Sequence, residues 1–181
     1  MAEFGAMWGA VPDRTAMRVE TGIGSVRRLD GLRQRMVSGD IAAAAGQAGV
    51  DAVGAGALGL ASGDAYSVRL ARDRLLIVAG RDLDPGWSDA GYAVSDMSAL
   101  DVFEIDGKLA DEIVSRATTL PLSGPGAGPS AAVTFAGVDA FVYRHRQGEA
   151  IRVHVDPSLS AYLWAWFGTV LAMIPQPVSR G

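Results

Sequence analysis

The spacing of apolar and polar positions changes period along the chain, and each change marks an element. Tyr66, Val68 and Leu70 alternate with Ser67, Arg69 and Ala71, the two-residue period of a half-buried strand. Arg72-Asp73 reads as a tight turn. Leu75-Leu76-Ile77-Val78-Ala79 is the unbroken apolar run of a buried strand, so the two segments predict a hairpin. Val133-Thr134-Phe135 and residues 140–145 predict a second hairpin, turning around Gly137-Val138. Ile151, Val153 and Val155 alternate with Arg152, His154 and Asp156, which predicts another strand. Residues 99–105 and, more weakly patterned, 25–29 also read as strands.

Three stretches change to the helical period. Residues 40–48 are alanine-rich and follow Asp40, which can cap them. Asp106 is placed to cap a helix over 107–118, with Leu109, Ala110, Ile113, Val114 and Ala117 on its inner side. Asp156-Pro157 supplies a cap followed by proline at the first helical position. Beyond it Leu159, Tyr162, Leu163, Trp166, Phe167, Val170, Leu171 and Ile174 form one complete helical face. The opposite side holds Ser160, Ala161, Trp164, Ala165, Gly168, Thr169, Ala172 and Met173, and no charge occurs over residues 157–179. A surface helix normally shows a charged stripe. One face is therefore expected to cover the parent sheet and the other to meet a partner. Trp164, Ala165, Ala172, Met173 and Ala161 are the candidate partner interface, whereas Trp166 is expected to support the fold.

The remaining segments divide the chain. Residues 1–24 read as an N-terminal arm, 25–96 as a first α+β lobe, 97–174 as a second and 175–181 as a tail. Residues 49–65 and 121–130 are Gly-rich connections, and 83–91 suit a short helix or loop around Pro85-Gly86. Both lobes run strand, helix, long loop and hairpin, an internal repeat in element order.

Composition narrows the chemistry. The chain has 181 residues, 49% apolar and 20% charged, which is enough to bury a core and too apolar for disorder. A formal charge of −4 argues against a nucleic-acid binder. The absence of cysteine removes disulfides, thiolate nucleophiles and thiolate metal sites. It also fits a cytoplasmic protein. Residues 1–12 carry Glu3 and no basic start, unlike a signal peptide. The apolar stretch 161–174 is shorter than the roughly 20 residues of a membrane span, so no membrane role is expected.

The motifs of known chemistry are incomplete. Gly54-Ala55-Gly56-Ala57-Leu58-Gly59 has the dinucleotide-binding spacing but is followed by a strand instead of the helix that receives pyrophosphate. Gly107-Lys108 lacks the rest of a phosphate loop, and Gly86-Trp87-Ser88-Asp89-Ala90-Gly91 is one residue off a nucleophile elbow. His145 and His154 sit on neighbouring strands, and Asp156 shares a face with His154, without a third ligand to complete a metal site. The run Arg14, Arg18, Arg27, Arg28, Arg33 and Arg35 is interleaved with acids, as on a salt-bridged surface or an arm docking on an acidic partner. Arg144-His145-Arg146 beside Tyr143 can meet an anion or lie on a solvated strand edge. No catalytic, cofactor-binding or metal residue is assigned.

The second half carries a family resemblance. Residues 94–105, VSDMSALDVFEI, resemble the segment leading into a strand in the aminomethyltransferase superfamily. The helix 109–117, Leu120-Pro121-Leu122, the 132–142 hairpin and residues 151–167, IRVHVDPSLSAYLWAWF, follow in the same order. In size and in the Tyr-Leu-Trp ending the chain is most similar to the gamma subunits of heterotetrameric sarcosine oxidases, within that folate-binding superfamily. The resemblance implies an α+β fold of two ferredoxin-like βαββ-type lobes. It also implies a non-catalytic subunit of an oxidoreductase complex that demethylates sarcosine or another N-methyl amino acid. This subunit would pack on the large alpha subunit, with beta and delta subunits present. FAD, FMN, NAD and tetrahydrofolate would lie on the other chains. The alternatives are a stand-alone tetrahydrofolate-dependent one-carbon protein and a small ligand-binding module.

Overall fold

The computed structural model describes residues 13, 16–120 and 128–174. Most of the predicted arm, most of the 121–130 loop and the tail 175–181 lie outside the described residues. Within them the chain runs β1 (Arg18–Thr21), β2 (Gly24–Leu29), β3 (Gln34–Gly39), α1 (Ile41–Ala48), β4 (Tyr66–Ala71), β5 (Arg74–Val78), β6 (Gly86–Ser88), β7 (Tyr92–Asp96), β8 (Asp101–Asp106), α2 (Lys108–Ala117), β9 (Ala132–Phe135), β10 (Val138–His145), β11 (Ala150–Val155) and α3 (Ser160–Met173). One sheet has the order β4-β5-β3-β7-β6 and the other β1-β2-β8-β11-β10-β9. All of their strand pairs are antiparallel. The fold is α+β, as expected.

Each sheet has a helix layer on its outer face, and the two inner faces meet. Val37, Leu75, Ile77, Tyr92 and Val94 pack against Ala44, Ala45 and Ala48 of α1. On the far side Phe103, Ile105, Ile151, Val153 and Val155 pack against α2 and α3 through Leu109, Ile113, Leu163, Phe167 and Val170. Val68, Leu70, Leu76, Val78 and Tyr143 form the apolar part of the layer between the sheets. The period-2 alternation of β11 therefore separates a helix-facing apolar row from Arg152 and His154, which are also buried, against the other sheet.

Several local expectations change. The arm contains β1, which pairs with β2, and 83–91 contains the short strand β6. β3 and β7 pair with each other, although neither has an alternating apolar pattern strong enough to predict it. β2, which lies in the expected first lobe of 25–96, joins β8 in the six-stranded sheet. The β9–β10 turn is Ala136-Gly137, one residue earlier than predicted, with φ values of 51° and 83°. Positive φ at both positions is what a twisted two-residue hairpin needs.

Asp40 does cap α1, its carboxylate accepting from the Ala43 N–H at 3.0 Å. Asp106 does not cap α2. Its carboxylate accepts from the Ser25 N–H at 2.8 Å, and Gly107 takes the cap position without a side-chain bond. This is a packing effect: the β1–β2 turn lies directly on the start of α2. A Cβ on Gly24 would stand 2.0 Å from the Asp106 carbonyl oxygen. Asp156 accepts from the Ser158 N–H at 2.8 Å, and a 3-10 turn, Pro157–Leu159, leads into α3.

Candidate functional site

The polar residues on the inner faces of the sheets are joined into one chain of hydrogen bonds. At one end the Gln34 amide nitrogen donates to the Leu100 carbonyl at 3.2 Å, which fixes the orientation of the amide. Gln34 Oε1 must then accept, so His154 Nδ1–H donates to it at 2.6 Å. The other imidazole nitrogen, Nε2, is left to accept from the Tyr143 hydroxyl at 2.6 Å. Arg152 has no acceptor and donates to the Tyr66 oxygen at 2.6 Å, so Tyr66 donates onward to Tyr143 at 2.8 Å. The chain thus has one direction, from Arg152 through Tyr66, Tyr143 and His154 to Gln34.

Arg152 is anchored in turn by Glu104. Its Nε and Nη2 both lie 3.0 Å from Glu104 Oε2. Glu104 Oε1 takes Arg27 at 2.6 Å and, more loosely, Arg146 at 3.4 Å. Burial opposes the charge on Glu104, but the hydrogen bond from Arg27 and the charges of Arg152 and Arg146 outweigh it and hold this carboxyl below its ordinary pKa. Burial, helped by the nearby Arg152 charge, pushes His154 down to about 3, so its imidazole is neutral. Burial likewise raises the phenols of Tyr66 and Tyr143.

No buried side-chain nitrogen or oxygen of this chain of bonds is left without a partner. Both His154 nitrogens are used, which leaves no lone pair for a metal. The network spans β3, β4, β8, β10 and β11 and so ties the two sheets together. His145 stands apart. It lies opposite Ala150 whereas His154 lies opposite Phe141, so the two histidines do not meet. His145 Nε2 bonds the Gly63 carbonyl at 3.2 Å, and its ring packs on Tyr66. Among the described residues no group of three or more His, Cys, Asp or Glu could hold a metal ion.

Sequence reasoning named His154 but missed its partners Gln34 and Tyr143 and the residues behind them, Tyr66, Arg152 and Glu104. The available signal was the placing of Glu104, Arg152 and His154 inside otherwise apolar strands. Within the arginine run Arg18, Arg27, Arg28 and Arg35 form ion pairs, among them Arg28 to Asp101 at 2.8 Å and Arg35 to Asp96 at 2.6 Å, whereas Arg33 donates to the Gly80 carbonyl and Arg14 lies outside the described residues. Residues 54–60 form a connection that splints both sheets, through bridges Ala55–Val68 and Leu60–Arg144.

α3 offers the other candidate site. Leu163, Phe167, Val170 and Ile174 are buried, as the predicted inner face requires. Tyr162 on that face is half exposed and donates to the Ala136 carbonyl at 2.9 Å. Trp166 is half buried, edge-on to Phe135 at 6.1 Å. Trp164 departs from its assignment to the outer face. It is also half buried and stacks on Phe103 at 6.0 Å and 13°. The indole is large enough to swing from the flank of the helix onto the sheet. Ala161, Ala165, Ala172 and Met173 are exposed, with Gly168 and Thr169 between them. This outer surface carries no charge. Among the described residues no helix is long and apolar enough to cross a membrane.

Two antiparallel sheets stacked between outer helices define an α+β class shared with solved proteins. A chain of the heterotetrameric sarcosine oxidase from Corynebacterium sp. U-96, in complex with pyrrole 2-carboxylate, matches with a TM-score of 0.67 and 17% identity. The match covers 87% of this chain and 89% of that one, so the two are of nearly equal length. At this identity the likeness is one of fold. No protein-family model matches the chain, and no curated protein is similar to it in sequence.

Proposed function

We propose that this chain is a gamma-type, non-catalytic subunit of a sarcosine oxidase-like flavoenzyme complex acting on sarcosine or another N-methyl amino acid. The observation that carries the reading is the fold match along nearly the whole length of a similarly sized chain in such an assembly. Its two ferredoxin-like βαββ-type lobes are then the two sheets with their helices, the second extended by β1 and β2. The uncharged outer face of α3 is the surface that docks on the large alpha subunit. On this reading the large subunits of the complex carry FAD, FMN, NAD and tetrahydrofolate, beta and delta subunits are also present, and the assembly is cytoplasmic.

The test is purification of the tagged full chain from its native source. Larger subunits in fixed stoichiometry and a flavin absorption spectrum are expected. A colourless, stable monomer overturns the proposal. Heat of tetrahydrofolate binding to the isolated chain would support the stand-alone one-carbon reading instead.

A further inference from the structure

A cleft of about 540 Å3 opens between residues 53–56, the end of β4 and residues 128–130. Its walls are built, because β4 carries a bulge between Arg69 and Ala71. There the Arg69 carbonyl accepts from the Ala131 N–H at 2.7 Å and the Leu70 carbonyl from the Ser130 hydroxyl at 2.6 Å. Opposite them Gly56 touches Gly128 so closely that a Cβ would stand 2.1 Å from its carbonyl oxygen. Val53, Ala71 and Pro129 supply apolar lining, and Val53 is 68% exposed.

The charge of the cleft is of one sign. Among the described residues Arg69 donates only to backbone carbonyls: Val53 and Ala52, both at 2.7 Å, and Arg72 at 2.9 Å. These bonds leave two of its five N–H groups to spare. Arg72 is exposed and has no ion pair among the described residues. No acidic residue lines the cleft among the described residues. In a chain of net charge −4 this is a local cationic hollow with apolar walls, within the usual size range of small-molecule sites.

We propose that this cleft binds a small organic anion. A carboxylate or phosphate head is held by Arg72 and the spare N–H groups of Arg69, and an apolar body lies against Val53, Ala71 and Pro129. Planar guanidinium groups suit either head.

The experiment is an amide NMR titration of the full chain with benzoate, phenyl phosphate, inorganic phosphate and benzyl alcohol. Saturable shifts at the Gly54, Arg72 and Ser130 amides are expected with benzoate or phenyl phosphate, and the tighter of the two identifies the head group. Inorganic phosphate and benzyl alcohol each lack one half of the ligand and should bind about tenfold more weakly, as should the better anion to Arg72→Gln. Arg72→Lys should restore part of the loss at an unchanged spectrum. Shifts linear in concentration for both organic anions, equal binding of benzyl alcohol, or unchanged affinity in Arg72→Gln would overturn the proposal.

Discussion

Replacing Tyr143 with Phe removes one oxygen from the seam between the sheets and leaves the ring in place. The ring contacts with Tyr66 at 5.6 Å and His154 at 5.4 Å survive, so the change isolates the hydrogen bonds. Two of them are lost. His154 Nε2 loses its donor at 2.6 Å, and the Tyr66 hydroxyl loses its acceptor at 2.8 Å. Water does not replace either partner, because His154 is 1% and Tyr66 4% exposed. Each orphaned buried group costs about 1–3 kcal/mol, so with partial relaxation the pair costs about 3 kcal/mol. For a chain of this length that lowers Tm by roughly 6–12 °C. Urea unfolding followed by tryptophan fluorescence measures the loss directly. Tyr162→Phe is the control. Its hydroxyl also makes one bond, to the Ala136 carbonyl, but the residue is half exposed, so water substitutes and the loss stays below about 1 kcal/mol. If Tyr143→Phe is no more destabilising than Tyr162→Phe, the seam does not hold the sheets together as argued.

Four further outcomes are expected. The folded pKa of His154, about 3, lies below its ordinary 6.5, so the unfolded chain takes up the proton first as pH falls. Its contribution is complete above about pH 6.5 and is lost toward pH 3, with a slope of at most about 1.4 kcal/mol per pH unit. His154→Gln should flatten the acid limb of the stability–pH curve, and an unaltered slope contradicts this. Trp164→Ala should cost about 1–3 kcal/mol in urea unfolding because the ring stacks on Phe103; a negligible cost would return this side chain to the partner face. Gly24→Ala forces a Cβ against the Asp106 carbonyl and should cost about 2–4 kcal/mol by the same assay, against about 1 for Gly31→Ala, which meets open space. Ala165→Arg should change stability by less than about 0.5 kcal/mol yet abolish co-purification with the flavin-bearing partner; retained assembly removes α3 from the interface.

What the sequence makes legible is local. β4–β5 and β9–β10 follow from alternation and turn residues that act within a few positions of each other. The buried face of α3 follows from helical period, and its uncharged outer surface from composition alone. What stays hidden depends on partners distant in the chain. The Gln-Arg-Met-Val-Ser-Gly run of β3 looks polar because Gln34 is matched to His154, 120 residues away. Asp106 looks like a helix cap until Ser25, 81 residues earlier, takes its carboxylate. Trp164 sits on the outer arc of a helical wheel, but a wheel gives the direction of Cβ and not where a large ring comes to rest.

The seam and the two surface sites place different demands on the same layers. An apolar interface between sheets tolerates many relative positions, since burial has no direction. A one-way hydrogen-bond chain does not, because each donor has one acceptor and a misplaced sheet leaves several buried groups unpaired. The lone carboxylate of Glu104 anchors that chain, and Arg27 and Arg146 extend it toward the surface, where both are partly exposed. Fixing the sheets also fixes what lies on their edges and backs. β4, bulged at the sheet edge, presents the cationic cleft, and β8, β10 and β11 carry the platform under α3. A variant that loosens the seam should therefore weaken both anion binding and partner docking, although it touches neither site.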